Sequence, residues 1–230
     1  MQPLLKVSLV QQISELIQQR IFRCELEPGE RLVEYLLAKH YGVGQNVVRE
    51  ALLDLSHKGL VRREANKGTY VTKLTLEEAR KIAEVRGAIE VLAVELASKR
   101  IRAKEVDPSP LRAIVAEMEA AAKSCDRAGF YEHDMRFHRM IWRMSGNEYL
   151  ERLLEQVVIP LFGSFILLFF RTDGARKTLI EGARAHRALL DALASSPAAA
   201  KKAISEMVNL SLQHKKGLLK DQPFAHSNAG

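Results

Sequence analysis

The stretch RLVEYLLAKHYGVGQNVVREALLDLSHKGL, residues 31–60, decides the reading of the fold. Leu36, Leu37, Tyr41, Val48, Leu52 and Leu55 recur at spacings of three and four, which predicts two helices with one apolar face each. The first is expected over residues 33–40 and the second from Gly44 or Gln45 to about Lys58. Ala38 is small where the two would approach. Gly42 stands where a sharp turn needs a residue tolerant of positive φ. This is the pattern of a helix-turn-helix. In that motif the second helix enters the DNA major groove with its N-terminal residues at the base edges; here those are Gln45, Asn46 and Arg49. A plain helical hairpin carries an Ala and a Gly as well, so the residues that follow matter. Gly59 closes the second helix. Val61, Arg62 and Arg63 are β-prone, Asn66, Lys67 and Gly68 form a turn, and Thr69 to Thr72 are β-prone again, which predicts a hairpin. A hairpin after a helix-turn-helix is a wing. Lys67, Gly68 and Thr69 at its tip are expected to meet a phosphate or the minor groove.

The run IFRCELEPGERLVEYLLAKHYGVGQNVVREALLDLSHKGLVRREANKGTYV, residues 21–71, resembles the winged helix-turn-helix of GntR-type bacterial transcription regulators. The resemblance is carried by Glu27-Pro28-Gly29 with Arg31-Leu32, by Val48-Arg49-Glu50-Ala51-Leu52, by Gly59-Leu60-Val61 and by Asn66-Lys67-Gly68-Thr69-Tyr70-Val71. It departs at Gly44-Gln45-Asn46-Val47, where that family has Ser-Arg-Thr-Pro, and at Cys24, where it has Gly. A base-reading Arg of the family is therefore Gln45 in this chain. Gln and Asn pair with adenine edges more readily than with guanine, so the departure bears on the operator and not on the fold.

At 230 residues, 47% of them hydrophobic, the chain has room for two domains with real cores. The net charge is +7, and the first 73 residues hold 11 Lys and Arg against 8 Asp and Glu, so the excess is spread along the chain. That mild excess is compatible with a nucleic acid partner, but the motif carries the argument. Cys24 and Cys125 are far apart in sequence and form neither a metal-type pair nor a disulfide framework, which fits a reducing, cytoplasmic setting. The N-terminus does not read as a signal peptide. The apolar segment at residues 157–170 is shorter than the ~20 residues a spanning helix needs and is interrupted by Pro160 and Gly163, so no membrane role is expected.

A first helix is expected over residues 8–23. Thr75 with Glu78 forms a capping box, so a new regime opens there. The fold class is mainly α: an N-terminal winged helix-turn-helix in residues 1–74 followed by an all-α antiparallel bundle in residues 75–230. The bundle helices are expected at about 76–101, 111–127, 130–145, 147–171 with a kink near Pro160, 176–194 and 198–219. Breaks are read at Asp107-Pro108-Ser109-Pro110, Gly129, Gly146-Asn147, Thr172-Asp173-Gly174 and Ser195-Ser196-Pro197. The last ten residues are expected to fray.

Asp134 and His138 lie four apart, on one helix face, where an oxygen and an imidazole nitrogen suit a divalent metal. A solvated Asp–His pair fits that spacing as well. His186, on an otherwise apolar helix face, reads as a core histidine or as a third ligand. Asp134-x-x-x-His138, Ser145-Gly146-Asn147, the run from His186 to Ala192, and Glu84-Val85-Arg86-x-x-x-Glu90 together resemble the all-helical ligand-binding (FCD) domain of the FadR subfamily. That resemblance implies a divalent metal such as Zn or Ni held by one Asp and three His. Asp134, His138 and His186 match three of the four, and Asn209 stands at the fourth. It also implies that Arg86 clamps a small organic acid, although Arg86 reads equally as a surface partner of Glu90. The whole is expected to be a homodimeric regulator, acting as a repressor, on a palindromic operator in double-stranded DNA. The alternative is a DNA-binding dimer without metal or effector response. No second acid–base constellation accompanies the triad, and Ser164 and Cys125 lack triad-like partners, so an enzyme is not expected.

Overall fold

Ser8 caps the first helix, α1 (Leu9–Phe22), its side chain accepting from the Gln11 amide. The computed structural model describes residues 8–73, 75–166 and 175–220. After α1 come β1 (Arg31–Leu32), α2 (Glu34–Tyr41), α3 (Gln45–His57), β2 (Val61–Glu64) and β3 (Gly68–Val71). Gly42 has φ 66° and turns α2 into α3. Ile13, Ile17, Ile21 and Phe22 of α1 are buried with Val48, Ala51, Leu52 and Leu55 of α3. Each fully buried side chain of this kind contributes about 1.5–3 kcal/mol. A polar tie runs across the same interface, where the Ser14 hydroxyl donates to Asp54 and Lys58 pairs with Asp54 at 2.8 Å.

The three strands form an antiparallel sheet in the order β1-β3-β2, with Tyr70 opposite both Arg31 and Arg62. Asn66 (φ 60°) and Gly68 (φ 120°) make the hairpin turn expected there. β1 has no counterpart among the sequence expectations, since two residues are too few to show a period. Leu36 also departs from expectation. It is 59% exposed, because the eight-residue α2 turns only Leu37 and Ala38 inward.

Thr75 caps α4 (Leu76–Arg102) through a complete capping box with Glu78. The body continues with α5 (Ser109–Ser124), α6 (Arg127–Met144), α7 (Glu148–Ile166), α8 (Ala175–Ser195) and α9 (Pro197–Lys220). α4 packs on α6, α8 and α9, and α5 packs on α6 and α8. No strand follows β3 among the described residues. The break expected at Gly129 lies earlier. Cys125 adopts φ 58° and Asp126 caps α6 by accepting from the Gly129 amide, so Gly129 is the third residue of the helix. Gly146 (φ 71°) and the Asn147 side chain, which accepts from the Tyr149 and Leu150 amides, form the next break as expected. The expected end of α7 at Arg171, the Thr172-Asp173-Gly174 turn and the fraying tail lie outside the described residues.

The N-terminal unit and the helical body touch where α1 meets α6. The Phe22 and Tyr131 rings lie 5.1 Å apart, and Arg127 Nη1 donates to the Phe22 carbonyl at 3.2 Å. Tyr131 is buried, which pushes its phenol well above the usual range. One and two turns further along α6 stand Asp134 and His138.

Candidate nucleic-acid face and buried triad

Gly44 leads into α3 without a side-chain cap, so the helix presents its first turn on an open face. Gln45, Asn46 and Arg49 are all exposed there. Arg49 is nevertheless ordered by its neighbours. Its Nε and Nη2 donate to Glu34 Oε2 at 3.1 and 2.9 Å, and its Nη1 donates to Asn46 Oδ1 at 3.3 Å. At the wing tip Lys67 is 73% exposed, with Nζ 3.9 Å from Glu64 Oε2. Gly68 is exposed at positive φ, and a Cβ there would come 3.2 Å from Arg31 Nε. Thr69 corrects the sequence expectation. It is buried, facing inward from the central strand β3, so its side chain does not join Lys67 and Gly68 at the surface.

The second cluster is in the body. Asp134 and His138 project from α6 and His186 from α8, and all three are buried. One ligand atom from each lies within 4.8 Å of the others. His138 Nε2 is 3.7 Å and His186 Nε2 is 2.6 Å from Asp134 Oδ1. Burial pushes the His138 imidazole down to about 3, against the opposing pull of Asp134 and with help from His186 and Arg86, so the ring is neutral near pH 7. His186 Nδ1 lies 2.7 Å from the Gly182 carbonyl, which can only accept, so that nitrogen carries the proton. In the neutral ring the lone pair is then on Nε2. That nitrogen is buried, and its 2.6 Å approach to Asp134 lacks hydrogen-bond geometry. Two acceptors this close repel each other unless a cation or proton lies between them. The donor set, one carboxylate oxygen and two imidazole nitrogens, fits a first-row divalent metal, with further positions left for water or a ligand.

Two surrounding features support the triad. Gly182 sits close against Phe130, where a Cβ would meet the ring at 3.1 Å; the small residue lets α8 approach α6. Arg86 and Glu90 form a bidentate pair at 3.3 and 3.4 Å, and Glu90 Oε2 is 3.9 Å from His138 Nδ1. The expected surface pairing of Arg86 is thus corrected: both partners are buried, and the pair abuts the triad. Asn209 is not brought to the cluster. It is exposed and borders a groove between α8 and α9 with Arg184, Ala188 and Glu206, while Met207 and Val208 take the inward positions of that turn. Sequence reasoning missed Glu34 and the roles of Glu90 and Gly182.

A family model described as bacterial regulatory proteins, gntR family, matches residues 9–71, and one described as the FCD domain matches residues 81–210. The HTH-type transcriptional regulator YdhC of Bacillus subtilis (strain 168) is 28% identical over 210 residues, covering 89% of this chain and 90% of that protein. A probable D-xylose utilization operon transcriptional repressor of Paenarthrobacter nicotinovorans is 28% identical over 230 residues, covering 99% of this chain and 93% of the relative. Among solved structures, E. coli McbR/YncC superposes with a TM-score of 0.65 at 22% identity, covering 94% of this chain and 99% of that one, a likeness of fold.

Proposed function

Because the chain belongs to the gntR family of bacterial regulatory proteins and carries an FCD domain, we propose that it represses transcription from a palindromic operator, as a dimer whose DNA affinity is set by a small organic acid. Transcriptional regulation, and not catalysis, is what the family and the relatives share. DNA is read by residues 1–74, through Gln45, Asn46 and Arg49 of α3 and through Lys67 and Gly68 of the wing. Residues 75–230 bind the effector and dimerise. No helix among the described residues is long and apolar enough to cross a membrane, and a cytoplasmic setting fits a DNA-binding role.

The observation that carries the sensing half of the reading is the buried, acceptor-rich contact between Asp134 and His186. Asp134, His138 and His186 would hold a divalent metal, which supplies an electrophilic anchor for a carboxylate. Arg86, kept in place by Glu90, adds a bidentate clamp for the same group. The occupied and empty arrangements of the body then differ in the position of α6, which carries Asp134 and His138 and, one turn earlier, Tyr131 against Phe22. A ligand that favours one arrangement shifts the population toward it. A palindromic operator requires both recognition helices one DNA turn apart, so a small movement changes affinity.

A thermal-shift screen of small organic acids, with and without Zn²⁺ or Ni²⁺, tests the sensing role. Stabilisation by an acid that depends on the metal supports it, and indifference to every acid and metal removes it. The wing gives a separate check. Lys67→Ala should weaken binding to all duplexes alike and reduce the slope of log affinity against log salt by about one unit, the effect of losing one phosphate contact. An unchanged slope in an anisotropy titration would take Lys67 off the DNA.

A further inference from the structure

Arg49 has five N–H groups, and the structure commits three of them. Glu34 takes Nε–H and one Nη2–H along a single edge of the guanidinium, and Asn46 Oδ1 takes one Nη1–H. What remains is one N–H on Nη1 and one on Nη2. We propose that Glu34 is a positioning residue for operator reading, gripping Arg49 side-on so that these two remaining donors are presented together to the O6 and N7 acceptors of a guanine. This rests on the reading of α3 as the DNA-recognition helix and adds to it both the base and the residue that orients its reader.

Three observations favour this over an idle surface ion pair. Glu34 sits in the first turn of α2, so its backbone is fixed by a helix and the helix N-terminus favours its negative charge. Its side chain is 28% exposed against 51% for Arg49, so the guanidinium is the more accessible partner of the pair. Glu34 also borders the cleft between α2 and the wing, with Arg63, Asn66 and Gly68. A carboxylate at that place would repel DNA phosphates unless it served a cation there, and Arg49 is the cation it serves.

Asn46 is tied to Arg49 in this assignment. A bidentate contact to adenine needs the amide oxygen as well as the amide nitrogen. One lone pair of the Asn46 oxygen is engaged by Arg49 at 3.3 Å, which leaves the second lone pair and the NH₂ group for a base edge. The half-site contacted by Arg49 should contain guanine, beside any adenine met by Gln45 or Asn46.

The test uses the full-length protein and a duplex recovered from a random-sequence pool by the wild type. Affinities are measured by fluorescence anisotropy for that duplex, for copies with 7-deazaguanine replacing single guanines, and for a scrambled duplex. The variants are Glu34→Ala, Glu34→Gln and Arg49→Ala. One 7-deazaguanine substitution in each half-site should weaken wild-type binding by about tenfold, the lower end for a bidentate base contact. Glu34→Ala should lose about the same factor in preference for the selected over the scrambled duplex, become insensitive to 7-deazaguanine, and bind the scrambled duplex no less tightly. Its melting temperature should be unchanged. Glu34→Gln keeps an acceptor for Nε–H and should retain most of the preference. If Glu34→Ala keeps the preference while Arg49→Ala loses it, Glu34 has no positioning role, although α3 still reads DNA. If Arg49→Ala keeps it too, or the wild type recovers no duplex, the recognition-helix reading falls and this inference with it.

Discussion

Arg49→Ala should lower affinity for the selected duplex by about 10- to 100-fold, the range for losing one bidentate base contact. Two effects add. The variant loses the exposed guanidinium, and it leaves the Glu34 carboxylate without its cation on the face that meets phosphates. The fold should be untouched, since the exposed pair contributes about 0–1 kcal/mol at most. Circular dichroism and the melting curve should therefore match the wild type while the gel shift fails. Full retention of operator binding would mean that α3 does not enter the groove.

The second large effect concerns the buried triad. With Zn²⁺ at a hundred times its dissociation constant, binding to the folded state alone adds about 2.7 kcal/mol. For a chain of this length that is roughly a 5–10 °C rise in melting temperature. Asp134→Ala should abolish the rise, because it removes the one oxygen ligand and the partner facing both His138 and His186. Asp134→Asn keeps the shape and should recover little of it, as the neutral amide is a poor ligand. Both variants should bind the selected duplex as the wild type does in the absence of acid, and should ignore the acid that the wild type senses. A full metal shift in Asp134→Ala would place the metal elsewhere.

Most of the architecture was legible because its signals are local. Thr75 and Asn147 are helix caps whose chemistry is complete within four residues, and both cap helices in the structure. Gly42 and Asn66-Lys67-Gly68 name their own turns. Gly129 misled because a glycine was read as a breaker, when the stronger local signal was Asp126, whose side chain takes the third amide of α6. β1 was invisible, since its partner strand lies almost forty residues away.

The sites divide along the same line. Asp134 and His138 share one helix, and four-residue spacing alone brings them together. His186 joins them only because α6 and α8 both pack on α4 and α5, which the sequence indicated by family resemblance and not by any spacing of its own. Asn209 shows the limit of that resemblance: the family pattern put the fourth ligand at that position, but the helix turns it outward and buries Met207 and Val208. Thr69 fails for the converse reason, since a residue near a wing tip reads as exposed until its place on a central strand is known. Glu34 escaped notice because an ion pair across a turn leaves no periodic trace.

The central claim is that α3 of this regulator lies in a groove of duplex DNA and reads bases there. It is tested most directly by titrating the wild-type protein against the selected duplex and a scrambled duplex of equal composition, at 50 and 200 mM salt conditions typical of such assays. The account predicts a preference of at least about 1,000-fold for the selected duplex and affinity that falls steeply as salt rises. Equal affinity for the two duplexes, or no binding to either at the lower salt, would contradict it.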